Sequence, residues 1–91
     1  MLHLKISLNA LADIEEGMAW YNSQQEGLGI KFENQVNSTF LRIQKFPHSA
    51  SYAYDTVRYK VMKQFPYIIL YENDDVNIYV LRVFNVKQQP L

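Results

Sequence analysis

The pattern of apolar and polar residues divides the chain into a short strand, two helices and three further strands. Residues 2–7 alternate apolar and polar side chains, which is typical of a short strand with one buried face. Residues 56–63, 66–73 and 76–84 are the other strand-like segments, and a polar turn at 73–75 separates the last two. The order β–α–α–β–β–β predicts an α+β fold, in which a two-helix hairpin packs on one face of a small, mostly antiparallel sheet.

Two segments with apolar residues at helical spacing lie between the first strand and the rest. Either Ser7 or Asn9 can cap the first helix, whose apolar stripe consists of Leu11, Ile14, Met18 and Tyr21. A break at Gly27–Leu28–Gly29 precedes the second helix, whose apolar stripe consists of Phe32, Val36, Phe40 and Ile43. Pro47 ends that helix, because proline lacks an N–H and disfavours helix in the preceding residue. The short link between the helices predicts an antiparallel pair.

Composition limits the size of the protein and its chemistry. Ninety-one residues, 48% of them hydrophobic, predict a single domain spanning residues 1–91. The chain has no cysteine, so neither disulfides nor thiolate chemistry are available to it. Nine basic and nine acidic residues give a formal net charge of zero, unlike a strongly basic nucleic-acid binder.

The sequence shows no sign of a membrane segment, a metal site or a cofactor site. The N-terminal region has no continuous apolar stretch, and no apolar run approaches the ~20 residues that span a bilayer. We therefore predict a cytoplasmic protein with no membrane association. His3 and His48 are far apart and lack the spacing of metal ligands, so we expect no metal and no cofactor.

The segment from Arg58 to Tyr71, RYKVMKQFPYIILY, predicts a β-hairpin that carries cations on one face. We expect Val57, Tyr59 and Val61 to form its buried face and Arg58, Lys60 and Met62 to point outward. Such exposed cations either serve a function or simply discourage pairing of strand edges, and both interpretations stay open. Arg82 lies in a strongly apolar strand, and we expect it to pair across the sheet with Glu72 or Asp55.

Short signatures in a fixed order make the chain similar to one known group of proteins. They are Ala10-x-x-Asp13-Ile14, Trp20-Tyr21, Gly27-Leu28-Gly29-x-x-Phe32, Phe46-Pro47, Arg58 and Lys60 before Phe65-Pro66-Tyr67-x-x-x-Tyr71, and Val83-Phe84-Asn85 with Pro90. Their order and spacing across nearly the whole chain resemble the RelE/ParE superfamily of bacterial toxins. The resemblance implies the toxin of a type II toxin–antitoxin system, which inhibits growth through a macromolecular target. It also implies a cognate antitoxin that holds the toxin inactive.

The branches of this superfamily differ in their chemistry. RelE-like members cut mRNA on the ribosome with Lys and Arg residues that stabilise phosphate charge, whereas ParE-like members poison DNA gyrase. Arg58 and Lys60 match two of the basic positions, and Lys87 matches a third in part. Ile68 stands where an Arg is expected, and Asn85 stands where many relatives have His. This incomplete set narrowly favours a ParE-like gyrase poison. An mRNA endonuclease with Arg58, Lys60 and Lys87 as catalytic cations, and an inactive member that only binds its antitoxin, are the alternatives.

The antitoxin interface is the other functional surface that the resemblance implies. Small toxins of this type are wrapped by an extended or helical segment of their partner. We expect the covered surface to involve the helical hairpin around Trp20, Tyr21 and Phe40, or an open edge of the sheet.

Overall fold

The computed structural model of the chain describes residues 1–87, and over that range it contains two helices and five strands. In chain order these are β1 (His3–Ile6), α1 (Leu8–Gln24), α2 (Leu28–Lys45), β2 (Tyr52–Tyr54), β3 (Val57–Val61), β4 (Tyr67–Asn73) and β5 (Asn77–Asn85). The predicted α+β class is confirmed. Strand β2 is short and exposed, and it lies at the end of the loop that follows α2.

The strands form one sheet in the order β1-β5-β4-β3-β2. Strand β1 pairs in parallel with β5, and the other neighbours are antiparallel. The helical hairpin packs on one face, which is lined by the most deeply buried side chains of the sheet: Ile69, Tyr71, Ile78, Val80 and Val83. The short β1 reaches only as far as Val80 of its partner strand. Residues 81–85 of β5 therefore have no strand beside them on that edge.

The start of α1 is tied to the sheet by its capping residue. Of the two predicted caps the structure uses Ser7, whose hydroxyl accepts a hydrogen bond from the Ala10 N–H at 3.0 Å. The same hydroxyl donates to the Leu81 carbonyl at 2.8 Å, which fixes the helix against β5. Gly27 separates the helices with a left-handed φ of 86°. Helix α2 begins at Leu28, immediately after that turn.

A cluster of aromatic rings joins the hairpin to the sheet. Phe32 on α2 is fully buried, with ring centroids 5.3 Å from Tyr21 and Phe65 and 4.7 Å from Tyr67. Gly17 of α1 packs directly against this ring, because a Cβ at Gly17 would lie 2.5 Å from a Phe32 ring carbon. The buried positions of α1 are therefore small residues.

The predicted apolar stripe of α1 is wrong at its first residue. Leu11 is 41% exposed, and the fully buried residue at that end of the helix is Ala10. Helix α2 approaches α1 so closely at Gly17 that no larger side chain fits at that position. Ile14, Met18 and Tyr21 do pack against the core, as partly buried side chains.

The predicted orientation of β3 is wrong, although Val57 is buried as expected. Arg58 and Lys60 lie directly opposite Tyr71 and Ile69 of β4, and residues that face each other across a strand pair share one face of the sheet. Since Tyr71 and Ile69 are fully buried beneath the helices, the two cations point to the helix side. Val61, expected to be buried, is 60% exposed on the opposite face.

Candidate functional site: a groove at the open end of β5

A groove of about 780 Å³ runs between α1 and the C-terminal end of β5, and we call it the α1–β5 groove. Trp20 and Tyr21 line it from the helix, and Tyr67, Asn85 and Lys87 line it from the sheet side. The groove thus combines aromatic walls with polar groups. It lies where the edge of β5 has no neighbouring strand.

Backbone groups of β5 face this groove. The Val86 N–H donates to the Pro66 carbonyl at 2.9 Å, toward β4. Successive residues of a strand direct their backbone groups to opposite sides, so the N–H and C=O of Asn85 point to the open edge, like those of Val83. An open edge of this kind can hydrogen-bond an extended peptide segment.

An ion pair between Asp13 of α1 and Arg82 of β5 closes one end of the open edge. Arg82 Nε donates to Asp13 Oδ2 at 2.7 Å, and Nη2 donates to Oδ1 at 2.8 Å. The Asp13 Oδ2 also accepts the Val83 N–H at 2.9 Å, so this carboxylate takes the place of a strand partner. Hydrogen bonding to Asp13 raises the pKa of Arg82 above its ordinary value.

The expected pairing of Arg82 with Glu72 or Asp55 is therefore wrong. Its partner comes from α1, because β1 ends at Ile6 and leaves this stretch of β5 open to the helix. The signature Ala10-x-x-Asp13-Ile14 includes Asp13, but Arg82 lies 69 positions away from it. No local pattern in the sequence relates the two residues.

The three residues predicted for antitoxin binding occupy different environments. Trp20 is 55% exposed at the rim of the α1–β5 groove. Tyr21 is half-buried in its wall, 4.8 Å from the Phe65 ring, and burial raises the pKa of its hydroxyl. Phe40 is only 3% exposed and belongs to the core, since it lies on the inner face of α2. Phe40 is therefore not available to a partner at the surface.

The guanidinium group of Arg58 is engaged by its own loop. Nη1 donates to the Ala50 carbonyl at 2.6 Å, and Nη2 donates to the Tyr52 hydroxyl at 2.9 Å. The guanidinium also lies over the Tyr52 ring, 4.1 Å from the ring centre, in a cation–π contact. Arg58 thereby fixes the segment between α2 and β2.

The three predicted catalytic cations do not come together in one cavity. Lys87 lines the α1–β5 groove, and among the described residues that line it neither Arg58 nor Lys60 is present. Lys60 is half-buried on β3, beside Arg58 on the same face. Across residues 1–87 there is no cluster of three or more side chains suited to binding a metal ion. Nor does this part of the chain contain a helix long and apolar enough to cross a bilayer.

Comparison with known proteins gives the class of this protein. Residues 4–90 match the family described as the ParE toxin of the type II toxin–antitoxin system parDE. The protein is therefore a toxin of the type II toxin–antitoxin class. Because the match spans nearly the whole chain, the chain belongs to the ParE toxin family, and the predicted RelE/ParE superfamily is confirmed.

Solved structures show the same fold. A chain described as "Chromosomal ParDE TA system from P. aeruginosa" aligns with a TM-score of 0.71 at 18% sequence identity. The alignment covers 94% of this chain and 97% of the other. A search of curated protein sequences found no match.

Proposed function

We propose that this ParE-family toxin inhibits growth by binding DNA gyrase rather than by cutting RNA. The observation that carries the proposal is the position of Arg58, whose guanidinium is bound to Ala50 and Tyr52 instead of facing an open site. Cleavage of a phosphodiester requires cations aimed at the developing charge on the phosphate. Arg58 and Lys60 are separated from the groove that contains Lys87, so they do not form a common phosphate site with it.

Regulated expression in bacteria, with mapping of RNA 5′ ends and a reporter of DNA damage, tests this proposal. We expect growth arrest and induction of the DNA damage response while transcripts stay intact. New 5′ ends in phase with codons would identify a ribosome-dependent mRNA endonuclease instead. Full growth after verified expression would identify an inactive member that only binds its antitoxin.

The α1–β5 groove is the site where we propose that the antitoxin binds. An extended segment of the antitoxin can pair with the backbone of Asn85 at the open edge of β5. Its apolar side chains can then cover Trp20 and Tyr21, which already line the groove. The Val83 N–H already donates to the Asp13 carboxylate. Pairing of the antitoxin segment with β5 therefore begins beyond Val83, toward the C-terminal end of the strand.

Trp20→Ala tests this interface, since large aromatic side chains at the rim of a groove are frequent centres of binding energy. A loss of ~2 kcal/mol corresponds to a dissociation constant raised about 30-fold, measured by calorimetry with the antitoxin encoded beside the toxin. Leu8→Ala is the matched control, because Leu8 is an 83% exposed apolar residue of the same helix outside the groove. Unchanged affinity of a folded Trp20→Ala variant would place the antitoxin elsewhere.

A further inference from the structure

The face of the sheet opposite the helices is apolar on its three middle strands, β3, β4 and β5. Six side chains form this outer patch: Tyr59, Val61, Ile68, Leu70, Tyr79 and Phe84. Tyr59 lies directly opposite Leu70, and Ile68 lies between Val61 and Phe84, so these five side chains are contiguous. Arg82, opposite Leu70 and paired with Asp13, separates Phe84 from Tyr79 on the same face. Val61, Phe84 and Tyr79 are all exposed, and no helix covers this face within residues 1–87.

An apolar outer face is unusual for a sheet of this kind. Antiparallel sheets with one solvated face normally alternate apolar residues toward the core with polar residues toward water. Strand β4 breaks this rule, because Ile68 and Leu70 alternate with the buried residues Tyr67, Ile69 and Tyr71. Contiguous exposed apolar patches on small proteins mark interaction surfaces. The charges that border the patch indicate the kind of partner that it fits.

The two ends of the outer patch carry opposite charge. At the end where β3 finishes and β4 begins, the flanking charged residues among those described are Lys63 and Lys87, both exposed. At the other end the carboxylates are those of Asp55, Glu72, Asp74 and Asp75. Lys5 and the amino group of Met1 also lie toward that end, and the acidic groups outnumber them. A surface with one basic and one acidic end is complementary to a reversed copy of itself.

We propose that the outer patch is the interface of a homodimer in which two sheets pack face to face. A two-fold axis in the plane of the interface can run either along the strands or across them. An axis along the strands would bring the two Lys63–Lys87 ends together, whereas an axis across the strands brings each basic end onto the acidic end of the other copy. Like charges in contact are unfavourable, so the charge pattern selects the second arrangement.

The size of the face indicates a weak dimer. Strands β3, β4 and β5, with 5, 7 and 9 residues at ~3.4 Å per residue and a spacing of ~4.8 Å, give a footprint on the order of 340 Å². A stable interface buries about 800 Å² on each partner, so this face falls below the usual size. We therefore expect dissociation in the micromolar range. Dimerisation goes beyond the toxin function, and the outer patch meets the α1–β5 groove only at Phe84 and the flanking Lys87.

Sedimentation equilibrium of the full chain measures the dimer directly. Between about 1 and about 200 µM protein, the average mass should rise from the monomer value of 10.7 kDa toward twice that value. Val61→Lys places a charge in the patch at an exposed position and should hold the mass at the monomer value. Leu8→Lys adds the same charge to exposed α1 and should dimerise like the unmodified chain. A monomer at all concentrations, or a dimer that persists in Val61→Lys, would overturn the proposal.

A charge exchange tests the direction of packing. Lys63→Glu alone and Glu72→Lys alone should each weaken the dimer, because each brings like charges together across the interface. The combined variant restores opposite charges and should recover most of the affinity. Failure of this recovery, with all variants folded by circular dichroism, would overturn the crosswise axis. Val61→Lys should keep its affinity for the antitoxin, so the result does not depend on the α1–β5 groove.

Discussion

Replacing Arg58 by alanine separates a structural role for this residue from a catalytic one. The guanidinium donates to the Ala50 carbonyl at 2.6 Å and to the Tyr52 hydroxyl at 2.9 Å, and it lies 4.1 Å from the centre of the Tyr52 ring. All of these contacts hold the segment between α2 and β2 against β3. We therefore expect Arg58→Ala to lower stability in proportion to them.

The expected loss follows from the individual contacts. A hydrogen bond from a charged donor to a backbone carbonyl contributes ~1.5 kcal/mol at the lower end of its range. The exposed cation–π contact adds ~0.5 kcal/mol, and the solvent-exposed bond to Tyr52 adds less. The total is ~2 kcal/mol. For a chain of this length, that loss lowers the midpoint of thermal unfolding by roughly 8–16 °C.

Urea denaturation, thermal unfolding and growth inhibition of Arg58→Ala together decide the role. Lys60→Ala is the matched control, since Lys60 is the neighbouring cation on the same face of β3. We expect Lys60→Ala to change stability by less than ~0.5 kcal/mol. The structural role would be refuted by an Arg58→Ala variant that unfolds like the unmodified chain and yet loses its toxicity, because Arg58 would then act on the target.

Two further substitutions test packing and acid stability. Gly17→Ala gains ~1 kcal/mol in helix propensity, but it places a Cβ 2.5 Å from the buried Phe32 ring, and overpacking costs ~1–3 kcal/mol. We expect the free energy of unfolding, measured in urea, to fall by a net ~1 kcal/mol. A gain in stability would contradict the tight packing of Gly17 against Phe32. Hydrogen bonds from the backbone of Asn77 and Val76 lower the pKa of Asp74 from its ordinary value of 3.8. The stability that this carboxylate adds is present above that value and is lost as the pH falls below it, so Asp74→Asn should flatten the acid limb of thermal stability against pH.

The order of elements was predictable because periodicity is a local property of the sequence. The strands at 56–63, 66–73 and 76–84 and both helices occur at the predicted places, with ends that differ by a few residues. Alternation along β3 shows which residues share a face, but not which face meets the helices. Because both faces of β3 carry apolar residues, the sequence alone does not show that Arg58 and Lys60 point toward the helices.

The candidate site was less predictable, because it depends on contacts between distant segments. The bond from Arg82 to Asp13 crosses 69 positions, and the groove exists only because β1 ends before β5 does. Trp20 and Tyr21 were predicted at the partner surface and do line the groove. Phe40 follows the same apolar spacing, but it points into the core, and spacing alone does not distinguish these environments.

Purified gyrase tests the central claim most directly. Supercoiled plasmid, gyrase and ATP would be incubated with increasing amounts of the full chain, and cleaved plasmid DNA would be quantified after denaturation of the enzyme. The account predicts that cleaved DNA accumulates with the toxin and that adding the antitoxin prevents it. Unchanged gyrase activity, together with cleavage of ribosome-bound mRNA by the same preparation, would contradict the account.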